Sequence, residues 1–148
     1  MSDSKTPMCV IVPCGGGQLW AVPQACVAEV ITIPEAGERP PQEVSWRGRE
    51  LPILDLGGNG DDSWRNRHSG FGLVLVVLGL EGESSDCWGL AVRGDGLSFR
   101  AVMAQAIEDC PEAVLEHASA AFRLGGEEIY QVPDLAALQR LANPGVAA

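Results

Sequence analysis

Cysteine and histidine are the side chains in this sequence best suited to nucleophilic or metal chemistry. The chain has two histidines, His68 and His117, and five cysteines, Cys9, Cys14, Cys26, Cys87 and Cys110. No two cysteines form a Cys-x-x-Cys pair and no cysteine lies close to a histidine along the chain, so the spacing does not predict a metal site. We expect no metal and no cofactor. A thiol enzyme with Cys9, Cys14 or Cys26 as nucleophile remains an alternative.

Asp55 and the polar residues after it are the other candidates for chemistry. Asp55 ends an apolar segment, as a phospho-accepting aspartate does, but a receiver domain also needs a lysine late in the chain, and Lys5 is the only lysine. Residues 58–60 (GNG) resemble a phosphate-binding loop, yet Asp61 and Asp62 put negative charge where a pyrophosphate would bind. No set of acid, base and nucleophile converges, so we expect that the protein is not an enzyme.

The charge of the chain narrows the class of partner. Its 148 residues include 20 acidic and 10 basic side chains, for a net charge of -10. Binding to nucleic acid requires a basic face that neutralises phosphates, so this balance predicts no nucleic-acid partner. The longest apolar run, residues 71–80, is half the roughly 20 residues of a membrane helix, and residues 1–7 lack the apolar stretch of a signal peptide. We therefore expect no membrane insertion and a cytoplasmic location.

Half of the basic residues are concentrated in one part of the chain: Arg39, Arg47, Arg49, Arg65 and Arg67. Two interpretations remain open. The arginines belong either to a mixed solvated surface or to a local patch that meets an acidic partner protein. Residues 57–70 within this stretch have no hydrophobic period and are predicted to form a long loop.

Short apolar segments separated by glycine and proline predict a β-rich domain rather than an alternating βαβ chain. The predicted strands are residues 8–14, 18–22, 27–33, 44–47, 51–56, 73–78, 88–92, 98–103, 120–124 and 128–132. Pro52 cannot donate a backbone hydrogen bond, so its strand is expected to start at an edge or a bulge. A short helix is expected from Pro111 to His117. A final helix is expected after an Asp134 cap, with Leu135, Leu138 and Leu141 on one face.

Three stretches of the chain, in this order, resemble the CheW family of chemotaxis coupling proteins. Residues 19–23 (LWAVP) and 27–30 (VAEV) are similar to the family's opening motif. Residues 46–56 (WRGRELPILDL) are similar to its most specific segment, Arg-Gly-x-x-Ile/Leu-Pro-Val-x-Asp-Leu. Residues 73–78 and 88–92 (WGLAV) are similar to its last paired motif. The resemblance covers most of residues 8–94.

The resemblance implies a mainly β fold of two small five-stranded β-barrels that share a core, with short helices that include one at the C-terminus. It implies a CheW-like domain over residues 8–142, between flexible tails at 1–7 and 143–148. The function implied is that of a non-catalytic adaptor that couples methyl-accepting chemoreceptors to the regulatory domain of a CheA-type histidine kinase.

Five residues fall on the motifs implicated in partner contact: Val27, Glu29, Arg47, Gly48 and Arg49. Each also has a purely structural interpretation. Val27 is expected in the core, Glu29 on a solvated strand face, and Gly48 as the residue that permits the turn. Asp55 is expected to cap or hydrogen-bond a turn rather than to contact a partner.

Two features depart from the family pattern. The loop at residues 57–70 replaces an apolar and basic stretch, and Arg93 stands where an acidic residue is usual. These departures extend the functional hypothesis to a coupling protein of a pilus-linked (twitching) system. They also leave open, as an alternative, a degenerate regulator that binds the kinase without receptor coupling.

Overall fold

The computed structural model describes residues 8–15, 17–34, 37–56, 63–66, 69–79, 87–93, 96–126 and 128–142. These residues form eleven strands, three single-turn 3-10 helices and one α-helix. The strands are β1 (Met8–Gly15), β2 (Gln18–Pro23), β3 (Val27–Ile33), β4 (Glu43–Trp46), β5 (Arg49–Leu54), β6 (Gly72–Val77), β7 (Trp88–Val92), β8 (Ser98–Ala101), β9 (Ile107–Asp109), β10 (Ala118–Leu124) and β11 (Ile129–Pro133). The 3-10 helices are Gln24–Cys26, Ala104–Ala106 and Pro111–Ala113, and the helix α1 is Leu135–Ala142.

The strands form two sheets, and the chain visits the first sheet at both ends of the sequence. The first sheet has the order β8-β1-β2-β11-β10-β9, and the second has the order β3-β6-β7-β5-β4. All pairings are antiparallel except β2 with β11 and β5 with β7. The expectation of a mainly β protein with two small β-units and a C-terminal helix is confirmed. The strands divide six and five rather than five and five, and β9 is the strand that the sequence pattern did not indicate.

A single apolar core joins the two sheets, as expected. Alternate residues of β1 and β2 meet alternate residues of β6 and β7, and α1 covers one side of the contact. The buried members of this shared core are Val10, Val12, Cys14, Trp20, Val22, Leu75, Val77, Trp88, Leu90, Val92, Leu138 and Ala142. Because side chains alternate across a strand, the intervening residues fill a separate core on the far face of each sheet. Strand β6 is therefore buried on both faces: Val74 and Val76 lie on the far face.

Arg93 connects the two sheets at the end of β7. Its backbone N–H donates to the Pro13 carbonyl at 2.7 Å. Its guanidinium donates two hydrogen bonds to Asp55, both 2.8 Å long, although only 5% of the Arg93 side chain is exposed. Asp55 therefore has a structural hydrogen-bonding role within the fold, and its observed partner is the buried Arg93 rather than a turn. The departure from the family pattern at Arg93 is matched inside the fold by this carboxylate.

The expected helix from Pro111 to His117 is wrong, because it ends after one turn at Ala113. The buried side chain of Gln131 forms hydrogen bonds with the backbone of the residues that would have continued the helix. The Gln131 amide donates to the Ala113 carbonyl at 3.0 Å and accepts from the Leu115 N–H at 3.0 Å. His117 then takes a positive φ of 71°. These tertiary bonds satisfy the backbone groups that a longer helix would have paired.

The final helix begins as predicted, because the Asp134 carboxylate accepts a hydrogen bond from the Ala137 N–H at 3.1 Å. Its buried face differs from the expected one. Leu135 and Leu138 pack on the shared core with Ala142, whereas Leu141 is 48% exposed. A step of three residues turns about 300° around a helix, so two such steps carry Leu141 away from the face of Leu135.

Pro52 lies inside the second sheet, at the point where β5 exchanges neighbours. Residues Arg49–Pro52 pair with β4, and the ladder to β7 begins only at Ile53. The strand is therefore not at an edge of its sheet. The missing N–H of Pro52 is tolerated because the second ladder has not yet begun there.

Several expectations fall on residues outside the described ranges: the two tails, the glycine-rich residues 58–60, Arg67, His68 and most of the loop 57–70. Within the described part of the chain, no helix is long and apolar enough to span a membrane.

Replacing Asp55 with alanine leaves the buried Arg93 guanidinium without its carboxylate. We expect Asp55→Ala to lower the free energy of unfolding by about 3 kcal/mol, since removing one partner of a buried ion pair costs roughly 3–5 kcal/mol and Asp55 is partly exposed. Urea denaturation measures the change. The control is Glu112→Ala at an exposed position, expected to change stability by less than about 0.5 kcal/mol. Equal effects of the two substitutions would contradict a role for the ion pair.

Candidate protein-interaction site

A tight hairpin between β4 and β5 presents the Arg-Gly dipeptide. Arg47 and Gly48 both have positive φ, 51° and 78°, which is the conformation of a two-residue type I′ turn. Trp46 pairs with Arg49 on either side of it. Gly48 adopts this conformation at little cost because it has no Cβ, whereas Arg47 is held there against its intrinsic preference. The structural interpretation of Gly48 as a turn residue is therefore satisfied, and its contact with a partner remains a prediction.

Strand β3 brings Glu29 to this turn from the opposite edge of the second sheet. A bulge between Val27 and Glu29 interrupts the pairing of β3 with β6. The Trp46 Nε1–H donates to Glu29 Oε1 at 2.9 Å, and Arg47 Nη2 donates to the same oxygen at 3.3 Å. Since β3 and β4 are the two edge strands of the second sheet, these bonds join its edges and show that the sheet is strongly curled.

We call Glu29, Trp46 and Arg47 the hairpin cluster. The Arg47 guanidinium carbon lies 4.9 Å from the centroid of the Trp46 ring, within the range of a cation–π contact. The Arg47 side chain is 71% exposed and that of Glu29 is 46% exposed. One Arg47 nitrogen is hydrogen-bonded to Glu29. The rest of its planar fork faces solvent with its orientation fixed by the ring.

Hydrogen bonding sets the protonation of Glu29. The bond from Trp46, followed by the bond from Arg47, lowers the pKa of the Glu29 carboxyl below its ordinary value, because both bonds favour the charged form. Glu29 is thus an anion held between an indole and a guanidinium rather than an isolated charge on a strand face.

The structure brings three of the five predicted site residues together and places the other two nearby. Glu29 and Arg47 belong to the hairpin cluster, and Gly48 is the second residue of its turn. Arg49, the first residue of β5, is exposed. Val27 is half-buried and packs against the shared core. Sequence reasoning did not include Trp46 among the site residues. The signal for it was its position next to the Arg-Gly dipeptide.

Two of the clustered arginines, Arg47 and Arg65, lie apart on the second sheet. Arg65 bridges Gly72 at the start of β6, whereas Glu29, which contacts Arg47, pairs with Val76 four residues along the same strand. That separation corresponds to about 13 Å along a strand. Trp64 beside Arg65 is buried, and its Nε1–H donates to the Leu73 carbonyl at 2.9 Å.

Two of the three candidate nucleophiles, Cys9 and Cys14, have environments that disfavour the thiolate. Burial raises the pKa of the Cys14 thiol far above its ordinary value, and burial followed by the proximity of Cys26 raises that of Cys9. A raised thiol pKa reduces the fraction of nucleophilic thiolate near neutral pH. Among the residues that the structure describes, no three His, Cys, Asp or Glu side chains are placed to hold a metal ion.

Comparison with known proteins identifies the fold. No protein-family model matches the chain, and no curated protein sequence matches it. Its structure is similar to the crystal structure of the scaffolding protein TtCheW from Thermoanaerobacter tengcongensis. The TM-score is 0.56 at 19% sequence identity, over 86% of this chain and 88% of that chain. The chain has the CheW fold, in a strongly diverged sequence.

The pKa of Glu29 provides a direct test of the hairpin cluster. A carboxyl whose folded-state pKa is lowered contributes stability above the ordinary glutamate pKa of about 4.3, and that contribution is lost as the pH falls through the folded-state value. In Trp46→Phe the indole donor is absent, so the Glu29 midpoint should move up toward the ordinary value. Carboxyl-detected NMR titration measures it. Arg49→Gln is the control, and an equal shift there would attribute the effect to the general field of the arginines.

Proposed function

We propose that this chain is a non-catalytic scaffold of a chemotaxis-type signalling pathway, which links chemoreceptors to a CheA-type histidine kinase. The observation that carries the proposal is the hairpin cluster. On a CheW fold, Glu29 and Arg47 occupy two of the three motifs by which the sequence resembles that family, and they form one exposed group.

The hairpin cluster suits recognition of a carboxylate on the regulatory domain of the kinase. Arg47 is stacked on Trp46 and anchored by Glu29, so little side-chain entropy remains to be lost when its free edge meets an acidic group. Arg49 lies beside it and, in the described part of the chain, has no ion-pair partner. Two adjacent arginines with one already oriented favour a specific acidic contact over a diffuse field.

Apolar contact with a receptor is the second part of the proposal. Val30 is 37% exposed on the edge strand β3, one residue beyond Glu29, and Val27 is half-buried at the start of the same strand. An edge strand with partly exposed β-branched residues offers both apolar area and free backbone groups to a partner.

The divergence at Arg93 does not argue against this role. Asp55 neutralises Arg93 within the fold, so the substitution leaves the hairpin cluster unchanged. A cytoplasmic location follows from the proposed partners. Whether the output is flagellar or pilus-linked depends on which kinase the chain engages.

The decisive experiment is calorimetric binding of the full chain to the regulatory domain of a CheA-type kinase from the same organism. We expect Arg47→Glu to weaken binding at least tenfold, which corresponds to about 1.4 kcal/mol, without lowering the melting temperature by more than a degree or two. Arg39→Glu makes the same charge change at an exposed arginine outside the hairpin cluster and should bind normally.

Three outcomes would contradict the proposal. Absence of binding by the folded wild-type chain at about 100 μM would remove the kinase as partner. Equal weakening by Arg47→Glu and Arg39→Glu would show that binding depends on the net charge of the chain and not on a specific contact of Arg47. Kinase binding combined with inhibition of a working receptor array would instead identify the kinase-only regulator.

Thiol labelling tests the enzyme alternative. Because the thiol pKa values of Cys9 and Cys14 are raised, both should react with a disulfide reagent at neutral pH more slowly than free cysteine, whose pKa is about 8.5. Mass spectrometry of the native chain, with urea-unfolded chain as the control, measures the two rates. Native labelling of either thiol faster than in the unfolded chain would restore the thiol-enzyme hypothesis.

A further inference from the structure

A cavity of about 410 Å³ opens at the end of the first sheet, and none of its lining residues belongs to the hairpin cluster. Its apolar floor includes Ile11 and Leu19, which belong to the separate core on the far face of that sheet. Its rim includes Gln18, Ser98 and Glu128. Pockets that bind small ligands span about 300–1,000 Å³, so this one is sized for a single side chain or a small molecule.

Two charged residues line the cavity, Arg93 and Glu128, and only Glu128 lacks an ion-pair partner among the described residues. Arg93 also reaches the cavity, but its guanidinium is occupied by both oxygens of Asp55. Glu128 accepts a hydrogen bond at its Oε1 from the Tyr130 hydroxyl at 3.1 Å, and no ion pair within the described residues includes it. Among the described lining residues, the rim therefore presents one carboxylate whose charge is not matched by a cation in direct contact.

Tyr130 fixes that carboxylate at the mouth of the cavity. The phenol is buried, and burial followed by the bond to Glu128 raises its pKa, so it remains a neutral donor. On its other side the Tyr130 oxygen accepts from Arg100 Nη1 at 3.3 Å. Arg100 thus contacts the tyrosine, and the second oxygen of Glu128 remains available to a ligand.

We propose that this cavity binds an arginine side chain of a partner protein. The aliphatic stem would lie against Ile11 and Leu19, and the guanidinium would meet the Glu128 carboxylate and the rim acceptors. An arginine suits the site because its stem is apolar while its head carries five donors in a planar fork. The net charge of -10 also attracts a basic partner surface. The inference is independent of the adaptor function and uses none of the residues of the hairpin cluster.

The probe is N-acetylarginine amide, titrated into the full chain and followed by amide NMR shifts. Its uncharged isostere, N-acetylcitrulline amide, is the matched ligand. We expect saturable shifts at Ile11, Leu19 and Ser98 with a dissociation constant on the order of 1–10 mM, and about fivefold weaker binding of the citrulline compound.

Glu128→Gln should weaken arginine binding to the level of citrulline while leaving the fold intact, since a glutamine oxygen still accepts from Tyr130. Glu112→Gln, an exposed acid outside the cavity, is the control and should bind as the wild type does. Equal affinity for the two amides, or shifts confined to other surfaces, would overturn the proposal. Tighter binding of putrescine than of the arginine amide would assign the cavity to a free amine and overturn it as well.

Discussion

The shared core between the two sheets is the constraint on which the rest of the structure depends. Four strands, β1, β2, β6 and β7, each place alternate side chains into it, and Trp20 and Trp88 are its largest buried members. Burial of this area supplies the main driving force for holding two small sheets together. Because both sheets contribute buried side chains to this one core, neither sheet is independent of the other. The two sheets therefore act as one body that carries the hairpin cluster and the end cavity at separate places.

In each sheet, a set of three side chains connects strands that are not neighbours. In the second sheet Glu29, Trp46 and Arg47 connect edge strands β3 and β4. In the first sheet Arg100 of β8 reaches Tyr130 of β11, across the two intervening strands. Each group combines an acid, an aromatic ring and an arginine, and the guanidinium lies within about 6 Å of the ring in each. Curled sheets bring such distant side chains together.

Local sequence determined the elements of this protein. Runs of β-branched and apolar residues bounded by glycine and proline located ten of the eleven strands, and β3 and β7 have the predicted bounds. Asp134 marked the start of the helix because an N-cap acts through residues only three positions away. The resemblance to the CheW family also rested on short local segments, and the fold that it implied is the fold observed.

Only the tertiary structure decided how those elements are used, because the deciding partners are distant in sequence. Gln131 ended the helix that Pro111 started, from 16 and 18 residues away. Asp55 and Arg93 are 38 residues apart, and nothing in the sequence near either residue indicates that the two side chains pair. Glu29 and Trp46 are 17 residues apart and meet because the sheet curls. Residue type and spacing along the chain determine whether a segment forms a strand or a helix. Long-range packing determines which side chains that element contacts. The candidate site consists of such long-range contacts, so the sequence alone could not define it.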